Sequence, residues 1–221
     1  MTIRVLVADD QQLMLSALRL FVEAAPDMEV VGEATNGAVA VRQCAALLPD
    51  VVLMDMQMPV MDGIEATRII TAEFPAVKVI AVTTFATVET IVPALRAGAS
   101  GYIVKDSAPA ELVQAIRDVV EGHAALSPSL SGALIEAITT TPGTTTAAAR
   151  VATEITEREF EVIDQLAQGL GNAEIAEALF VSQATVKARL ASAMAKLEVS
   201  SRVQLVVRAC ELGLVEPRLR Q

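Results

Sequence analysis

The stretch Val51–Pro59, VVLMDMQMP, decides the fold of this chain. Four apolar residues are followed by a single acid, Asp55. A continuous apolar run of this length is typical of a strand that is buried on both faces, as strands in parallel sheets are. We therefore expect Asp55 to lie at the sheet edge where ligands bind in such folds. A single acid after a strand is also a common turn residue, so both interpretations stay open on this stretch alone.

An apolar run followed by a helical pattern occurs five times before Gly122. The predicted strands are residues 3–8, 29–34, 51–54, 78–82 and 101–104, and the predicted helices are residues 11–25, 37–48, 63–74, 88–97 and 108–121. Strands that alternate with helices form a parallel sheet with helices on both faces, because each crossover must be right-handed. The sequence therefore predicts an α/β fold with a doubly wound, five-stranded parallel sheet. Pro93 lies inside the fourth helix and should kink it.

The bulk composition limits the classes of protein that fit. The 221 residues are 53% apolar with a net charge of −10, which suits two compact domains that need no disulfide or metal support. No apolar run approaches the roughly 20 residues of a membrane span, and the chain does not begin like a secretory signal. We expect a cytoplasmic protein with no membrane partner. Cys44 and the distant Cys210 lack metal or redox spacing and are predicted to be reduced.

The composition changes after Gly122. Residues 130–138 suggest one short helix, and residues 139–149, TTTPGTTTAAA, have no packing period and contain two helix breakers. This composition is typical of a linker, because an ordered loop of that length is uncommon. Helical patterns return from about residue 153. The predicted domains are residues 1–124, a short helix and Thr/Ala-rich linker over residues 125–152, and an all-α domain over residues 153–221.

Polar residues follow four of the five predicted strands. They are Asp9 and Asp10 after the first, Asp55 after the third, Thr83 after the fourth and Lys105 after the fifth. Because the carboxyl ends of parallel strands share one edge, we expect these side chains to meet. Three carboxylates this close repel one another unless a hard cation such as Mg²⁺ joins them. A carboxylate beside Mg²⁺ can attack a phosphoryl group. This chemistry predicts Asp55 as nucleophile, Asp10 as metal ligand, Lys105 as phosphate clamp and Thr83 as phosphate sensor.

The motifs around these residues resemble a known family. They are ADD at Ala8–Asp10, MDMQMPVMDG at Met54–Gly63, VTT at Val82–Thr84 and AGASGYIVKD at Ala97–Asp106. Together they resemble the receiver domain of two-component response regulators over about residues 1–124. The resemblance implies the flavodoxin-like strand order 2-1-3-4-5. It also implies that a sensor histidine kinase phosphorylates Asp55.

The same resemblance implies roles for further residues. The backbone carbonyl of Gln57 would be a metal ligand beside Asp10 and Asp55, with Asp9 next to them. Tyr102 matches an aromatic residue that changes rotamer together with the threonine at Thr83. Thr84, the last residue of the VTT motif, would belong to the same switch.

One class of enzyme also forms an aspartyl phosphate. Haloacid-dehalogenase-like phosphatases need a second Asp two residues after the nucleophile as general acid, and this chain has Gln57 there. The missing acid argues against rapid turnover and for a long-lived phosphorylated switch that is not an enzyme. Multiple turnover of small phosphate esters would favour the phosphohydrolase instead.

The C-terminal part has the pattern of a helix-turn-helix. Thr156 and Glu159 form a capping box, and Asn172 is predicted to cap a second helix. A tight turn at Phe180 precedes Ser182, which should cap a third helix. A third helix after such a turn is the one that enters the major groove of DNA.

Several residues of this part are candidates for DNA contacts. Thr185 and Lys187 lie near the start of the third helix, and the candidates for phosphate contacts are Arg189, Lys196 and Arg202. The alternative is that these residues are ordinary solvated surface charges, and it would hold for about half of them individually. Residues 139–221 hold 10 acids and 9 bases, so any DNA contact must come from a local patch of positive charge.

Residues 153–215 resemble the LuxR-type DNA-binding domain, so the whole chain resembles the NarL/FixJ subfamily. The resemblance implies that Lys187, Ala188 and Ala191 face the bases. Alanine offers only methyl contacts, so we expect weak direct readout and dependence on a homodimer that forms on phosphorylation. The dimer face would be the stripe on the last helix formed by Val203, Val206, Val207 and Cys210. That stripe fits the core of the domain equally well.

These observations predict a DNA-binding transcriptional regulator of a two-component system that binds promoter DNA under control of phosphorylation. An alternative is a phosphorylation-independent DNA-binding regulator with a vestigial receiver. The two differ in whether Mg²⁺ and a phosphodonor change dimerisation and DNA affinity.

Overall fold

The structure is a computed structural model of the chain, and it describes residues 2–84, 88–122, 125–126 and 154–215. The molecule divides into two compact units between Leu130 and Ser131. The predicted helix at residues 130–138 and the predicted linker at residues 139–149 lie outside the described residues. Within those residues, no helix is both long enough and apolar enough to cross a membrane.

The first unit alternates strands and helices. Its strands are β1 (Ile3–Ala8), β2 (Met28–Ala34), β3 (Val51–Asp55), β4 (Lys78–Thr83), β5 (Gly101–Val104) and β6 (Ala125–Leu126). Its helices are α1 (Gln12–Glu23), α2 (Gly37–Leu47), α3 (Gly63–Glu73), α4 (Val88–Arg96) and α5 (Pro109–Glu121). The predicted bounds of the first five strands and of all five helices agree to within two residues. The small differences fall at the ends, which depend on caps rather than on the apolar pattern.

All neighbouring strands pair in parallel in the order β2-β1-β3-β4-β5-β6. The order of the first five strands confirms the predicted doubly wound α/β sheet. The sixth strand was not predicted. Its two residues pair with Gly101 and Tyr102 of β5, and a segment of two residues is too short for a periodic pattern to reveal.

The sheet is buried because its strands are apolar on both faces. Every residue of β3 is buried, including Leu53 and the terminal Asp55. On one face, β1 and β3 to β5 pack with α1 and α5 through side chains such as Leu15 and Ile116. Burying one such side chain contributes about 1.5–3 kcal/mol relative to leaving it in water. The ends of these strands are therefore held rigidly, and so are the polar residues that follow them.

The start of α3 lies against the end of β3, and glycine makes this possible. A Cβ atom at Gly63 would lie 2.0 Å from the carbonyl oxygen of Asp55, a distance that carbon and oxygen atoms cannot share without a clash. The N–H of Gly63 donates to the carbonyl of Met56 at 3.1 Å. Asp62 caps α3 by accepting from the N–H of Glu65 at 2.7 Å. The MDG segment therefore folds the loop after Asp55 back onto the sheet edge.

The second unit consists of helices. They are α6 (Glu157–Ala167), α7 (Asn172–Ala178), α8 (Gln183–Lys196) and α9 (Arg202–Glu211). Their apolar faces, including Ile163, Ile175 and Leu190, form one core. The predicted all-α architecture with a tight turn between α7 and α8 is confirmed; Phe180 makes this turn with a left-handed backbone, φ 53°.

Two of the three predicted caps are present. Thr156 forms the capping box with Glu159, and Ser182 accepts from the N–H of Thr185 at the start of α8. The prediction for Asn172 is wrong. Gly171 is the cap of α7, and its N–H donates to the carboxylate of Glu174 at 2.9 Å. Asn172 is instead the first residue of the helix. Its side chain does not cap the helix because it accepts a hydrogen bond from Arg202.

Candidate functional site

The polar side chains that follow the strands meet at the carboxyl edge of the sheet. Asp9 follows β1, Asp55 ends β3, Thr83 ends β4 and Lys105 follows β5. Asp9, Asp55 and Thr83 are buried, whereas Asp10 is exposed. The site is therefore a closed group of polar residues with one acid that reaches solvent.

Lys105 joins two of the acids. Its Nζ lies 2.7 Å from Oδ2 of Asp9 and 3.0 Å from Oδ2 of Asp55, and its side chain is only 5% exposed. The N–H of Lys105 also donates to the carbonyl of Thr83 at 2.6 Å. The main chain of Lys105 is thus fixed to the end of β4, and its ammonium group bridges two buried carboxylates.

The second oxygen of each buried acid faces the backbone. Oδ1 of Asp9 accepts from the N–H of Gln11 at 2.9 Å, and Oδ1 of Asp55 accepts from the N–H of Gln57 at 3.3 Å. The side chain of Gln57 itself is exposed. These bonds fix the carboxylates in orientation before any ligand arrives.

The pKa values of this group reflect its burial. Burial raises the pKa of Asp55, and the hydrogen bond from Lys105 offsets this only in part. Burial also lowers the pKa of Lys105, but its hydrogen bonds to Asp9 and Asp55 raise that pKa above its ordinary value overall. The site therefore holds its negative charge at a free-energy cost that a further cation would reduce.

Three acids of the described residues could hold a metal ion together. Asp9, Asp10 and Asp55 each offer a carboxylate oxygen, and these oxygens all lie within 4.8 Å of one another. We call these residues the acidic cluster. An all-oxygen donor set with one solvent-exposed member suits a hard cation such as Mg²⁺, which keeps several of its waters.

Tyr102 connects this site to α4. It is fully buried in β5, and its hydroxyl donates to Oγ1 of Thr90 at 2.9 Å. The Thr83 hydroxyl forms a second hydrogen bond with the Tyr102 phenol, whose pKa is raised by burial. The predicted switch residue Thr84 is exposed. Sequence reasoning missed Thr90, because no pattern marks a helix residue whose partner is a strand residue twelve positions later.

In the second unit, the predicted base-facing residues lie on one side of α8. Lys187, Ala188 and Ala191 are all exposed. Thr185 is half-buried, and its Oγ1 lies 2.9 Å from Oγ of Ser182 at the start of the helix. This face offers one cation and a surface of methyl groups.

The three residues predicted to contact phosphates all have partners within the second unit. Nζ of Lys196 lies 2.7 Å from Oε2 of Glu159, and Nη1 of Arg189 lies 3.9 Å from Oε2 of Glu161. Arg202 donates to the side chain of Asn172, and burial lowers its pKa. Their contacts with DNA phosphates stay a prediction, because each side chain would have to leave its present partner in the unit or share that partner with a phosphate.

The second unit has little spare positive charge. Residues 154–215 contain nine acids and six bases. Arg158 and Arg208 pair with Glu161 and Glu211 at 3.1 Å, in addition to the three bases described above. Within residues 154–215, Lys187 is the only base for which the structure shows no ion pair or hydrogen bond.

The predicted dimer stripe on α9 is largely covered. Val203 and Val207 are buried, and Val206 and Cys210 are half-buried against the core of the unit. Burial raises the pKa of the Cys210 thiol to about 11, which keeps it protonated and unreactive. Val206 and Cys210 thus serve the core, and the dimer face on this stripe stays a prediction.

The fold and the two sites define a class of protein: an α/β unit with an acidic cluster at its sheet edge, followed by a helix-turn-helix unit. Residues 5–117 match the response regulator receiver domain, and residues 153–209 match the bacterial regulatory proteins of the luxR family. The chain belongs to the response regulators that combine a receiver domain with a LuxR-type DNA-binding domain.

Known proteins align along almost the whole chain. The uncharacterized transcriptional regulatory protein YxjL of Bacillus subtilis (strain 168) is 41% identical over 97% of this chain and 98% of its own length. The transcriptional regulatory protein LiaR of the same organism is 39% identical over 96% of this chain and 99% of its own length. A solved structure of two RcsB dimers bound to two parallel DNAs aligns at 26% identity with a TM-score of 0.59, over 96% of this chain and 99% of that chain.

Proposed function

We propose that Asp55 accepts a phosphoryl group from a sensor histidine kinase and that phosphorylation promotes binding of a homodimer to promoter DNA. The observation that carries this proposal is the position of Asp55. Its carboxylate is buried and oriented by a backbone N–H, and it lies 3.0 Å from the ammonium group of Lys105. An oriented carboxylate beside a fixed cation is prepared to attack an electrophilic phosphorus atom.

In the transfer, an oxygen of Asp55 forms a bond to phosphorus while the bond from phosphorus to the kinase imidazole breaks. The electron pair of the broken bond returns to the ring nitrogen, and the imidazole leaves as a neutral base because its other nitrogen has taken up a proton from water. Lys105 keeps its bond to Asp9 and directs remaining N–H donors at the phosphoryl oxygens. The Thr83 hydroxyl supplies another donor from the end of β4. These fixed donors stabilise the charge that develops on the phosphoryl group.

The acidic cluster would hold Mg²⁺ for this step. Asp10 and Asp55 are the proposed direct ligands together with the backbone carbonyl of Gln57, and Asp9 lies beside them. When bound, the ion neutralises negative charge on the carboxylates and the incoming phosphoryl group. The all-oxygen donors and the upward pKa shift of Asp55 support this choice of cation.

The aspartyl phosphate is proposed to persist long enough to act as a switch. Rapid hydrolysis needs a general acid or base near the new bond. Gln57 stands two residues after Asp55, and its amide cannot donate or take up a proton at neutral pH. The phosphorylated state therefore lasts for a regulatory signal rather than turning over as an enzyme intermediate.

DNA binding is proposed to occur through α8. The exposed face at Lys187, Ala188 and Ala191 would enter the major groove, with the methyl groups against thymine. RcsB, whose dimers are bound to DNA in a solved structure, supports a dimeric mode. Two copies double the few contacts that each α8 can make.

We expect DNA affinity to depend only weakly on salt. Each phosphate neutralised by a protein cation contributes about −0.9 to the slope of log association constant against log salt. With Lys187 as the base without a partner in residues 154–215, a dimer should give a slope of about −2 to −4. Fluorescence anisotropy of labelled DNA across a salt series measures this slope.

The matched variants are Lys187→Gln and Lys78→Gln, which remove one lysine from the second and from the first unit. Lys187→Gln should weaken binding and make the slope shallower by about 2 for a dimer. Lys78→Gln should leave both quantities unchanged. A slope near −8, or a slope that Lys187→Gln does not alter, would show that the phosphate contacts come from other bases.

The proposed function is tested by the response of DNA binding to a phosphodonor. Genomic DNA fragments bound by the full chain are selected with and without acetyl phosphate and Mg²⁺, and affinity for the best fragment is then measured. The wild-type chain should bind at least tenfold more tightly with the phosphodonor, and Asp55→Asn should not respond. Equal binding by the wild-type chain under both conditions would favour the vestigial receiver.

A further inference from the structure

We infer that Lys196 is a positioning residue for DNA reading: its ammonium group links the point where the chain enters the second unit to the last turn of α8. The sequence predicted a phosphate contact for this lysine, but inside the folded unit it holds α8 in place instead. This role deepens the proposed function and rests on it for the placement of α8 at DNA. The link itself exists without DNA and without phosphorylation.

Lys196 is the last residue of α8 and donates two hydrogen bonds. Its Nζ donates to the carbonyl of Glu154 at 3.0 Å and to Oε2 of Glu159 at 2.7 Å. Glu154 is 42 positions earlier in the chain and is the first residue of the second unit that the structure describes. One of the two bonds therefore holds main chain rather than a side chain, at the place where the segment from the receiver domain arrives.

The carboxylate of Glu159 brings further donors to the same place. Its Oε2 also accepts from the N–H and the hydroxyl of Thr156 at 2.8 Å, and its Oε1 accepts from the hydroxyl of Ser192 at 2.6 Å. Ser192 lies four residues before Lys196, on the same side of α8. We call these four residues, together with Glu154, the entry junction. It joins the entering chain and the start of α6 to α8.

Burial makes the ammonium group of Lys196 hard to remove from the entry junction. The side chain of Glu159 is only 7% exposed, so its charge depends on the donors around it. Lys196 is the one cation among the residues of the junction. If its ammonium group moved to a DNA phosphate, a buried carboxylate would be left without a cation, at a cost that one solvated phosphate contact does not offset.

The two lysines of α8 lie on different sides of the helix. Lys187 and Lys196 are nine residues apart, which is about two and a half turns at 3.6 residues per turn. Lys187 is exposed together with Ala188 and Ala191 on the face proposed to read DNA, whereas Lys196 contacts Glu159 of α6. Lys187 therefore meets the DNA, and Lys196 sets the angle of the helix that carries it.

The angle of α8 matters for base contacts more than for phosphate contacts. Phosphates are present in every DNA sequence, but base contacts form only when the reading helix enters the groove in one orientation. The entry junction fixes the last turn of α8 against α6 and against the entering chain. Loss of the Lys196 ammonium group should therefore reduce the preference for one sequence more than the affinity for DNA in general.

The test compares the binding of two DNAs to the full chain, with acetyl phosphate and Mg²⁺ in every sample. One DNA is the best fragment selected from genomic DNA, and the other is a scrambled duplex of the same length and base composition. Lys196→Met removes the ammonium group and keeps the length of the side chain. It should lower the affinity for the selected fragment by about tenfold, the size of the effect of one mismatched base pair. The affinity for the scrambled duplex and both salt slopes should not change.

A phosphate contact gives a different result in the same measurements. A lysine that binds phosphate contributes to every sequence, so Lys196→Met would then lower both affinities equally and make the salt slope shallower by about 2 for a dimer. Partial unfolding would also lower both apparent affinities equally, but without a change in slope. An unchanged ratio of the two affinities would therefore overturn the positioning role in either case.

Two further variants complete the test. Ser192→Ala removes a neutral donor from α8 to the same carboxylate and keeps every charge, so it serves even if Lys196→Met does not fold. Its ratio of affinities should fall by about threefold, as for one lost hydrogen bond, and a wild-type ratio would contradict the entry junction. Arg208→Met is the control, because it removes a cation whose partner Glu211 lies on the same helix, α9. It should keep the wild-type ratio, and a fall as large as that of Lys196→Met would overturn the specific role of Lys196.

Hydrogen exchange separates this role from the proposed function. Without DNA and phosphodonor, the amides in the last turn of α8 should exchange about tenfold faster in Lys196→Met, as expected for the loss of a bond between charged groups. Unchanged exchange would overturn the link. A wild-type chain that binds both DNAs equally, or does not respond to phosphodonor, would refute the proposed function, and the exchange result would still decide whether Lys196 holds α8.

Discussion

Replacing Lys105 by methionine is expected to destabilise the receiver domain by about 3–5 kcal/mol, the cost of leaving buried charges without their partner. The variant keeps the length of the side chain but removes the ammonium group that lies 2.7 Å from Asp9 and 3.0 Å from Asp55. Two buried carboxylates would then repel each other with no cation between them. Such a loss is a large fraction of the stability of a typical domain.

The measurement is urea unfolding followed by the fluorescence of Tyr102, which reports the receiver domain alone because it is the only tyrosine and the chain has no tryptophan. Lys78→Met is the control, because Lys78 is the only other lysine in residues 1–124 and its Nζ makes a long 3.5 Å contact with the carbonyl of Pro75. That variant should lose less than about 1 kcal/mol, as expected for a partly exposed charge. A loss below about 1 kcal/mol for Lys105→Met as well would mean that the two acids do not depend on Lys105.

Replacing Glu159 by glutamine is expected to destabilise the DNA-binding domain by about 2–4 kcal/mol, since the carboxylate is a buried centre of charge-assisted hydrogen bonds. Glu159 accepts from Ser192 at 2.6 Å, from Lys196 at 2.7 Å, and from both the N–H and the hydroxyl of Thr156 at 2.8 Å. These bonds join the start of α6 to α8. The substitution would therefore loosen the helix that is proposed to read DNA.

Hydrogen exchange of the α8 amides in the full chain measures this loss. Glu161→Gln is the control on the same helix, because its partner Arg158 is 71% exposed at the side chain and its contact with Arg189 of α8 is a long 3.9 Å. An exposed pair of this kind contributes about 0–1 kcal/mol. Equal protection of α8 in the wild type and in Glu159→Gln would contradict the structural role of the buried carboxylate.

The same residue gives the domain a defined dependence on pH. Burial favours the neutral carboxyl, but the bonds from Lys196, Ser192 and Thr156 outweigh it and lower the pKa of Glu159 from 4.5 to about 2. A group whose pKa is lower in the folded state stabilises the fold fully above its unfolded pKa and loses that contribution as the pH falls through its folded pKa. Protection of α8 should therefore fall between about pH 4.5 and pH 2 in the wild type, and Glu159→Gln should lack this step.

Much of the receiver domain could be predicted because its signals are local. Each buried strand is a short apolar run bounded by polar residues, as Val51–Asp55 shows. Parallel topology then brings the residues after β1, β3, β4 and β5 to one edge without any knowledge of side-chain contacts. The meeting of Asp9, Asp55 and Lys105 follows from topology alone.

Other features depend on contacts between distant residues. Glu159 and Lys196 are 37 positions apart. The capping box of Glu159 with Thr156 could be predicted from the sequence, but the ion pair with Lys196 could not. Asn172 has the residue type of a helix cap, but a partner 30 positions away, Arg202, takes its side chain. The hydrogen bond between Thr90 and Tyr102 could not be predicted from the sequence pattern for the same reason. Such contacts depend on how helices pack and on which rotamers that packing selects.

The most direct test of the account is the transfer of a phosphoryl group to Asp55. The full chain is incubated with acetyl phosphate and Mg²⁺, and its intact mass and fragment masses are measured. Wild type and Asp106→Asn, which replaces an exposed acid beside Lys105, should each gain one phosphoryl group per chain located at Asp55. Asp55→Asn should gain none. Equal labelling of Asp55→Asn, or a label located on another residue of the wild-type chain, would contradict the account.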